Sequence, residues 1–219
     1  MFLAAIAVVI AVEFVDEFYL VGFQPTGTSW FIPAWLQSWD IAGFELLHQS
    51  LTSPFLDIVM WLITRTGSTV FWLLLATLLW LARRKRQAAL LVFGVIVGGV
   101  LLLPVKVLLP RPRPYSIMQG LRIIEIEGGG SFPSGHSKNG FTAAVILGST
   151  WRRLRPWLYI LAFLIAISRI YLAQHWPSDV IVGSLVGWMV GKITIRYESN
   201  IITVLKKAKL DEEHLTHNL

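Results

Sequence analysis

Two histidines and a set of basic residues determine the chemistry open to this chain of 219 residues. Lys106 and Arg113 bracket the stretch Lys-Val-Leu-Leu-Pro-Arg-Pro-Arg-Pro. Ser134, Gly135 and His136 open an apolar, helix-like run, and Arg169, His175 and Asp179 follow further on. Three cations, two imidazoles, one carboxylate and a helix start can form an anion site with nucleophilic and acid–base capacity. Backbone N–H groups at a helix start bind phosphate, arginine grips it with two parallel donors, and histidine moves protons near neutral pH. The chain has no Cys, so thiolate nucleophiles, disulfides and Cys-ligated metal centres are excluded.

The elements that must bring these residues together are apolar. Hydrophobic residues make up 55% of the chain and charged residues 15%, against about 25% charged in soluble domains. The mean hydropathy is +0.63. That balance excludes a disordered chain, a nucleic-acid-binding tail protein and an ordinary cytosolic enzyme. Long apolar runs without strict alternation exclude a β-barrel, which leaves helices as the structure that satisfies its backbone in lipid. The pattern predicts an all-α, polytopic membrane protein, with six transmembrane helices in a bundle and an interfacial helix, as a single domain over 1–219. The spans fall at 1–23, 67–82, 87–109, from about Ser137 to Arg152, 156–174 and 178–195. The first is read as an uncleaved anchor despite Glu13, Asp16 and Glu17. Residues 40–51 form the amphipathic interfacial helix, and 54–64 are too short to span and form an interfacial or half-inserted helix. Loop 110–136 is rich in Pro and Gly, and the tail 197–219 carries mixed charge.

Basic residues orient this arrangement. Twelve of the 19 Lys and Arg lie at 83–86, at 152–155 and from Lys192 onward, all on one side of a six-span chain. The positive-inside rule makes that side cytoplasmic. Loop 110–136 and the turn 170–179 then face outward, with the chemistry-bearing residues gathered there. Lys138, Arg169 and Asp179 lie 13 or 14 residues from the basic ends of their helices. That is a rise of roughly 20 Å, which puts them below the outer surface of a hydrocarbon layer about 30 Å thick. A recessed polar pocket suits a lipid head group better than a soluble substrate, and ionisable groups at such depth are functional candidates.

These residues carry a resemblance. Lys106, six residues, then Arg113-Pro114 resembles the first signature of the type 2 phosphatidic acid phosphatase superfamily. Pro133-Ser134-Gly135-His136 resembles the second, and Ser168-Arg169, five residues, His175, three residues, Asp179 resembles the third. The ordered triple covers 106–179. The resemblance implies a membrane-bound lipid phosphatase with His175 as nucleophile, forming a phosphohistidine, and Asp179 accepting from the other ring nitrogen. It implies His136 as the acid for the leaving oxygen, with Lys106, Arg113, Arg169, Ser134 and Gly135 binding phosphate. It requires no metal and no other cofactor. The implied partners are the bilayer and a lipid phosphate or diphosphate, not nucleic acid; the pattern specifies no oligomeric state. A polyprenyl diphosphate, as in undecaprenyl-diphosphate phosphatases, fits best, in a plasma membrane with the site outside. Phosphatidylglycerophosphate or phosphatidate hydrolysis and lipid phosphotransfer use the same intermediate. A lipid transporter or scramblase with a degenerate site is the different-class alternative, against which the intact signatures stand.

Other residues take plainer readings. His48 is expected on the polar face of the interfacial helix, and His214 and His217 in a solvated tail. Arg111 is expected as a surface charge and Glu125 and Glu127 as solvated loop acids, with a lid at 115–131 as the alternative for the two acids. Lys138 is balanced between a second phosphate contact and snorkelling or pairing with a carboxylate. Gly128-Gly129-Gly130 follows no strand and precedes no Gly-Lys-Ser/Thr, so it reads as a hinge. Most Trp residues read as interface anchors, and Trp176 is placed to shape a pocket beside His175.

Overall fold

The computed structural model describes residues 31–204 and Lys207, and every regular element it gives there is helical. In chain order these are α1 (Ala34–His48), α2 (Pro54–Arg65), α3 (Thr69–Leu81), α4 (Lys85–Leu108), α5 (Pro114–Ile117), α6 (Gly135–Thr150), α7 (Arg155–Tyr171) and α8 (Pro177–Arg196). Local chemistry sets the starts. The Ser53, Ser68 and Ser134 side chains cap α2, α3 and α6 by accepting from Leu56, Phe71 and Ser137 N–H. Proline occupies the first turn of α2, α5, α7 and α8, where its missing N–H is not needed.

Helix α6 is the centre of the bundle, packed against α7, α8 and α4. It is buried continuously from Ser137 to Gly148 although it carries Lys138, Asn139 and Thr142. Its seam with α8 is built on glycine. Gly183, Gly187 and Gly191 recur every four residues, so they lie on one face of α8. A Cβ on Gly183 would run into the Ser134 carbonyl, and one on Gly187 would lie 2.8 Å from the Lys138 carbonyl carbon. The backbones therefore approach as small-residue seams allow in lipid. Trp72, Leu90, Leu91, Val95, Ile146 and Ile165 fill one apolar core, and Phe44, Phe141, Ala162, Ala166 and Trp176 fill a second beneath α1. The outer surface is apolar as well, with Leu78, Leu101, Phe163 and Leu185 more than half exposed. Apolar residues inside and outside together mark a bundle that sits in a membrane.

The span pattern differs from the sequence expectation. Among the described residues two helices, α4 and α8, are long and apolar enough to cross a membrane. A third span results if α2 and α3, bent by 56° at residues 66–68, are taken together. The segment 54–64, expected as an interfacial or half-inserted helix, is α2, which joins α3 across that bend as a broken span or a re-entrant loop. Helices α6 and α7, with 16 and 17 residues, are shorter than the roughly 20 residues a perpendicular crossing needs. The expected span 1–23 lies outside the described residues, as does nearly all of the tail beyond Val204. The expected interfacial helix 40–51 begins earlier, at Ala34, and buries Asp40, Phe44 and His48 against the bundle.

Candidate active site

Helix ends and the chain between them build the site. Lys106 lies in the last turn of α4. Arg113 lies just before α5, Ser134, Gly135 and His136 at the start of α6, Arg169 near the end of α7, and His175 in the turn before α8. Helix α8 then presents Asp179 one turn in. Two backbone contacts lock this end of the bundle. Ser134 N–H donates to the Asp179 carbonyl at 3.1 Å, and His175 N–H donates to the Arg169 carbonyl at 3.2 Å.

Arg113 is 4% exposed and tightly held. It donates to the Gly128, Gly129 and Gln174 carbonyls at 2.8, 3.3 and 3.1 Å, and its Nη1 lies 3.4 Å from His175 Nε2. A guanidinium can only donate, so Nε2 carries the lone pair and Nδ1 the hydrogen. Asp179 Oδ2 stands 3.7 Å from that Nδ1. This is longer than the direct hydrogen bond expected from sequence, because Asp179 is already engaged. Its Oδ1 accepts from Arg111 at 2.6 Å and its Oδ2 from Trp176 N–H at 2.9 Å. Burial lowers the His175 pKa to about 4, helped by Arg113 and Arg169 and opposed by Asp179. The ring is therefore neutral at pH 7, as a nucleophile must be.

Arg169 is fully buried. Its Nη1 donates to Thr64 Oγ1 at 2.9 Å, and its Nη2 pairs with Glu127 Oε2 at 2.5 Å. The same Glu127 oxygen lies 3.3 Å from Arg113 Nη1. His136 feels the charges of Arg169, Glu127, His175 and Lys106, and its ring fits the α2–α3 bend, where a Cβ on Gly67 would meet it at 3.0 Å. Ser134 Oγ accepts from Ser137 N–H and Oγ–H, which leaves its own hydrogen to donate. Open space lies beside Gly135. The signature residues are thus brought to one end of the bundle, where Arg113 and Arg169 converge on one carboxylate oxygen of Glu127.

Four plainer readings need correction. Arg111 is not a surface charge: it is 3% exposed, with Nη1 on Ser178 and Asp179 and Nη2 on Asp40, and it lies over the Trp176 ring. Glu127 is not a solvated acid. Burial alone would raise its pKa, but Arg169, His136 and Arg113 hold it well below the usual carboxylate range. Glu125 pairs with Arg65 at 2.9 Å and its carbonyl accepts from Gln174. His48 is buried, its Nδ1 donating to the Tyr171 carbonyl at 2.6 Å while its ring stacks on Phe44. Lys138 is buried too, with Nζ 3.5 Å from the Val95 carbonyl and its methylenes on Gly98. The Gly128–Gly130 stretch supplies carbonyls to Arg113, and Trp176 Nε1 donates to the Pro112 carbonyl at 2.9 Å.

Asp40 is the functional candidate that sequence reasoning missed. It accepts from Ser178 N–H at 2.7 Å, Ser178 Oγ at 2.6 Å and Arg111 at 2.7 Å, with no exposure. The available signal was an acid beside Trp39, followed by apolar residues, in an amphipathic helix.

Comparison with known proteins gives a consistent set of relatives. The model of the PAP2 superfamily matches residues 87–202. The chain is 30% identical to an undecaprenyl-diphosphatase of Sulfolobus acidocaldarius over 73% of this chain and 79% of that one. The crystal structure of Aquifex aeolicus LpxE superposes with a TM-score of 0.66 at 28% identity, over 72% of this chain and 94% of that one. A transmembrane PAP2-type phosphatidylglycerolphosphate phosphatase from Bacillus subtilis superposes with a TM-score of 0.67, over 91% of this chain and 96% of that one. At 21% identity the last likeness speaks for the fold alone.

Proposed function

The chain belongs to the PAP2 superfamily and is a membrane lipid phosphatase, and from that premise we propose that it hydrolyses a polyprenyl diphosphate through a phosphohistidine on His175. The single observation that carries the reading is the seat itself. Arg113 and Arg169 converge on one anionic oxygen, and Arg113 Nη1, 3.3 Å from that oxygen, is also 3.4 Å from His175 Nε2. A phosphoryl oxygen in that position brings its phosphorus within reach of the imidazole lone pair. The similarity to the archaeal undecaprenyl-diphosphatase supports the polyprenyl diphosphate.

The reaction then runs in two steps. His175 Nε2 attacks the terminal phosphorus, the bond from phosphorus to the bridging oxygen breaks, and His136 gives its proton to the leaving lipid phosphate. Water next attacks the phosphohistidine, His136 takes the water's proton, and inorganic phosphate leaves with His175 restored. Lys106, Arg113 and Arg169 hold the equatorial oxygens, where charge is greatest in the transition state. The Ser134 hydroxyl and Gly135 N–H add donors at the start of α6. Asp179 stabilises the Nδ1–H form of His175, which points Nε2 at phosphorus. Residues 106–179 form the catalytic core of a single domain.

The test is phosphate release by purified protein from farnesyl diphosphate, phosphatidate and phosphatidylglycerophosphate, in EDTA, with His175→Ala as control. Preference for the diphosphate supports the reading, and preference for either glycerolipid overturns its substrate. The site is further proposed to face outward across the plasma membrane. In intact cells a Cys placed at Gln119 is then labelled by an impermeant maleimide and one at Asn200 is not; the reverse pattern overturns the orientation.

A further inference from the structure

We propose that Glu127 is a specificity-determining residue: its carboxylate fills the seat between Arg113 and Arg169, so that a terminal phosphate can displace it and a phosphodiester head group cannot. The inference rests on the reading of that seat as the phosphate site. Glu127 Oε2 lies 2.5 Å from Arg169 Nη2 and 3.3 Å from Arg113 Nη1. Both arginines are buried, whereas the Glu127 side chain keeps 26% of its surface exposed. The carboxylate therefore closes the seat from its open side.

The segment that carries Glu127 is tied down. Tyr115 Oη donates to the Glu127 carbonyl. Gln174 Nε2 donates to the Glu125 carbonyl at 2.6 Å, and the Glu125 carboxylate pairs with Arg65 at 2.9 Å. Arg122 pairs with Asp57 at 2.6 Å. These ties hold Glu127 over the seat, and a tethered group competes with a free ligand at an effective concentration in the millimolar range or above. The surrounding cations also keep the carboxylate ionised well below the usual range.

Charge then decides what can replace it. A bilayer presents phosphodiester head groups at high local concentration, each with one negative charge on two free oxygens. Exchanging Glu127 for such a group gains no charge and forfeits the tether. A terminal phosphate carries about 1.5 to 2 charges near neutral pH on three oxygens, so it gains charge and an extra acceptor for the same guanidinium donors. The internal carboxylate thus excludes the abundant lipids while admitting the rare ones whose terminal phosphate is to be removed.

The test compares wild type, Glu127→Gln and Glu127→Asp as full-length protein in mixed micelles. Farnesyl diphosphate is the substrate, and phosphatidylglycerol, a phosphodiester without a terminal phosphate, is added at rising mole fraction. In Glu127→Gln the KM is expected to fall by about tenfold, about 1.4 kcal/mol, and phosphatidylglycerol is expected to inhibit at fractions that leave wild type unaffected. Glu127→Asp, which keeps the charge, is expected to restore resistance to phosphatidylglycerol. Vanadate binding by calorimetry supplies a readout without turnover and is expected to tighten in Glu127→Gln. Unchanged KM, phosphatidylglycerol response and vanadate affinity in that variant overturn the proposal. So does a loss of kcat with the phosphatidylglycerol response unchanged, which assigns Glu127 to the chemistry. If wild type releases no phosphate from any lipid phosphate, the functional reading fails, and the vanadate arm still tests Glu127.

Discussion

Arg111 and Asp179 form a buried ion pair at 2.6 Å, and the same guanidinium reaches Asp40 at 2.7 Å. The carboxylate behind His175 is therefore anchored, through one arginine, to α1. Removing one partner of such a network leaves uncompensated buried charge, at about 3–5 kcal/mol. Arg111→Ala is expected to lower the thermal midpoint strongly, since Asp40 and Asp179 then face each other without a cation. Arg111→Lys keeps the charge but cannot serve both carboxylates as a planar fork does. It is expected to stay folded and to lose about a hundredfold in kcat, the scale of a misplaced catalytic group. Thermal unfolding in detergent, read beside phosphate release, distinguishes the two outcomes.

The His175 ring is expected to titrate near 4, and imidazole nitrogen shifts in labelled protein read this directly. Its native pKa is about 4 against an ordinary 6.5. Between those values the unfolded chain binds a proton that the native protein does not. Stability is therefore full above about 6.5 and falls as pH drops toward 4. Glu127, held well below the usual carboxylate range, adds a loss of the same sign at lower pH. In His175→Gln the decline between 6.5 and 4 is expected to shrink. A midpoint near 6.5 contradicts the assignment.

The two histidines are expected to differ by leaving group. His175→Ala loses turnover on every substrate, because no other group takes the phosphoryl. His136→Ala is slowed less on p-nitrophenyl phosphate than on phosphatidate, since p-nitrophenolate departs without a proton. Equal loss on both substrates in His136→Ala removes the acid role.

A methyl group on the glycine seam is expected to reach the chemistry. Gly183→Ala pushes the Ser134 carbonyl, and Ser134 N–H bonds the Asp179 carbonyl at 3.1 Å. Such overpacking typically costs about 1–3 kcal/mol, and activity is expected to fall with it. Gly148→Ala is the control, because its nearest neighbours include the flexible Arg155 side chain at 3.1 Å. Equal effects at both positions contradict the claim.

Lys106, Arg113, His136, Arg169, His175 and Asp179 were singled out because together they match three ordered signatures of a known superfamily. Helix positions from 85 onward were legible through apolar runs bounded by Arg and Pro. Arg111, Asp40 and Glu127 were not legible as partners. Their roles depend on α1 and the 118–134 loop folding back on the bundle, and nothing local to a lone acid records which cation it will meet. The bent α2–α3 pair was read as two pieces because a bend at residues 66–68 has the same sequence pattern as a connection between separate helices. Helix α6 shows a related limit of the pattern. Hydropathy registers apolar content but not whether lipid or protein surrounds it, and α6 is buried in protein.

The glycine seam between α6 and α8 leaves no side chains there to act as a cushion. Helix α6 carries His136, with Ser134 and Gly135 at its start, and α8 carries Asp179, with His175 just ahead of it. Where backbone meets backbone, stiffness is high and sliding is opposed by hard contacts. On the proposed function, the compliance that admits a lipid and releases phosphate is assigned to the strapped 118–134 segment, whose ties are side-chain hydrogen bonds and partly exposed ion pairs. The molecule divides into an anvil that fixes the reacting atoms and a latch that sets the pace of exchange.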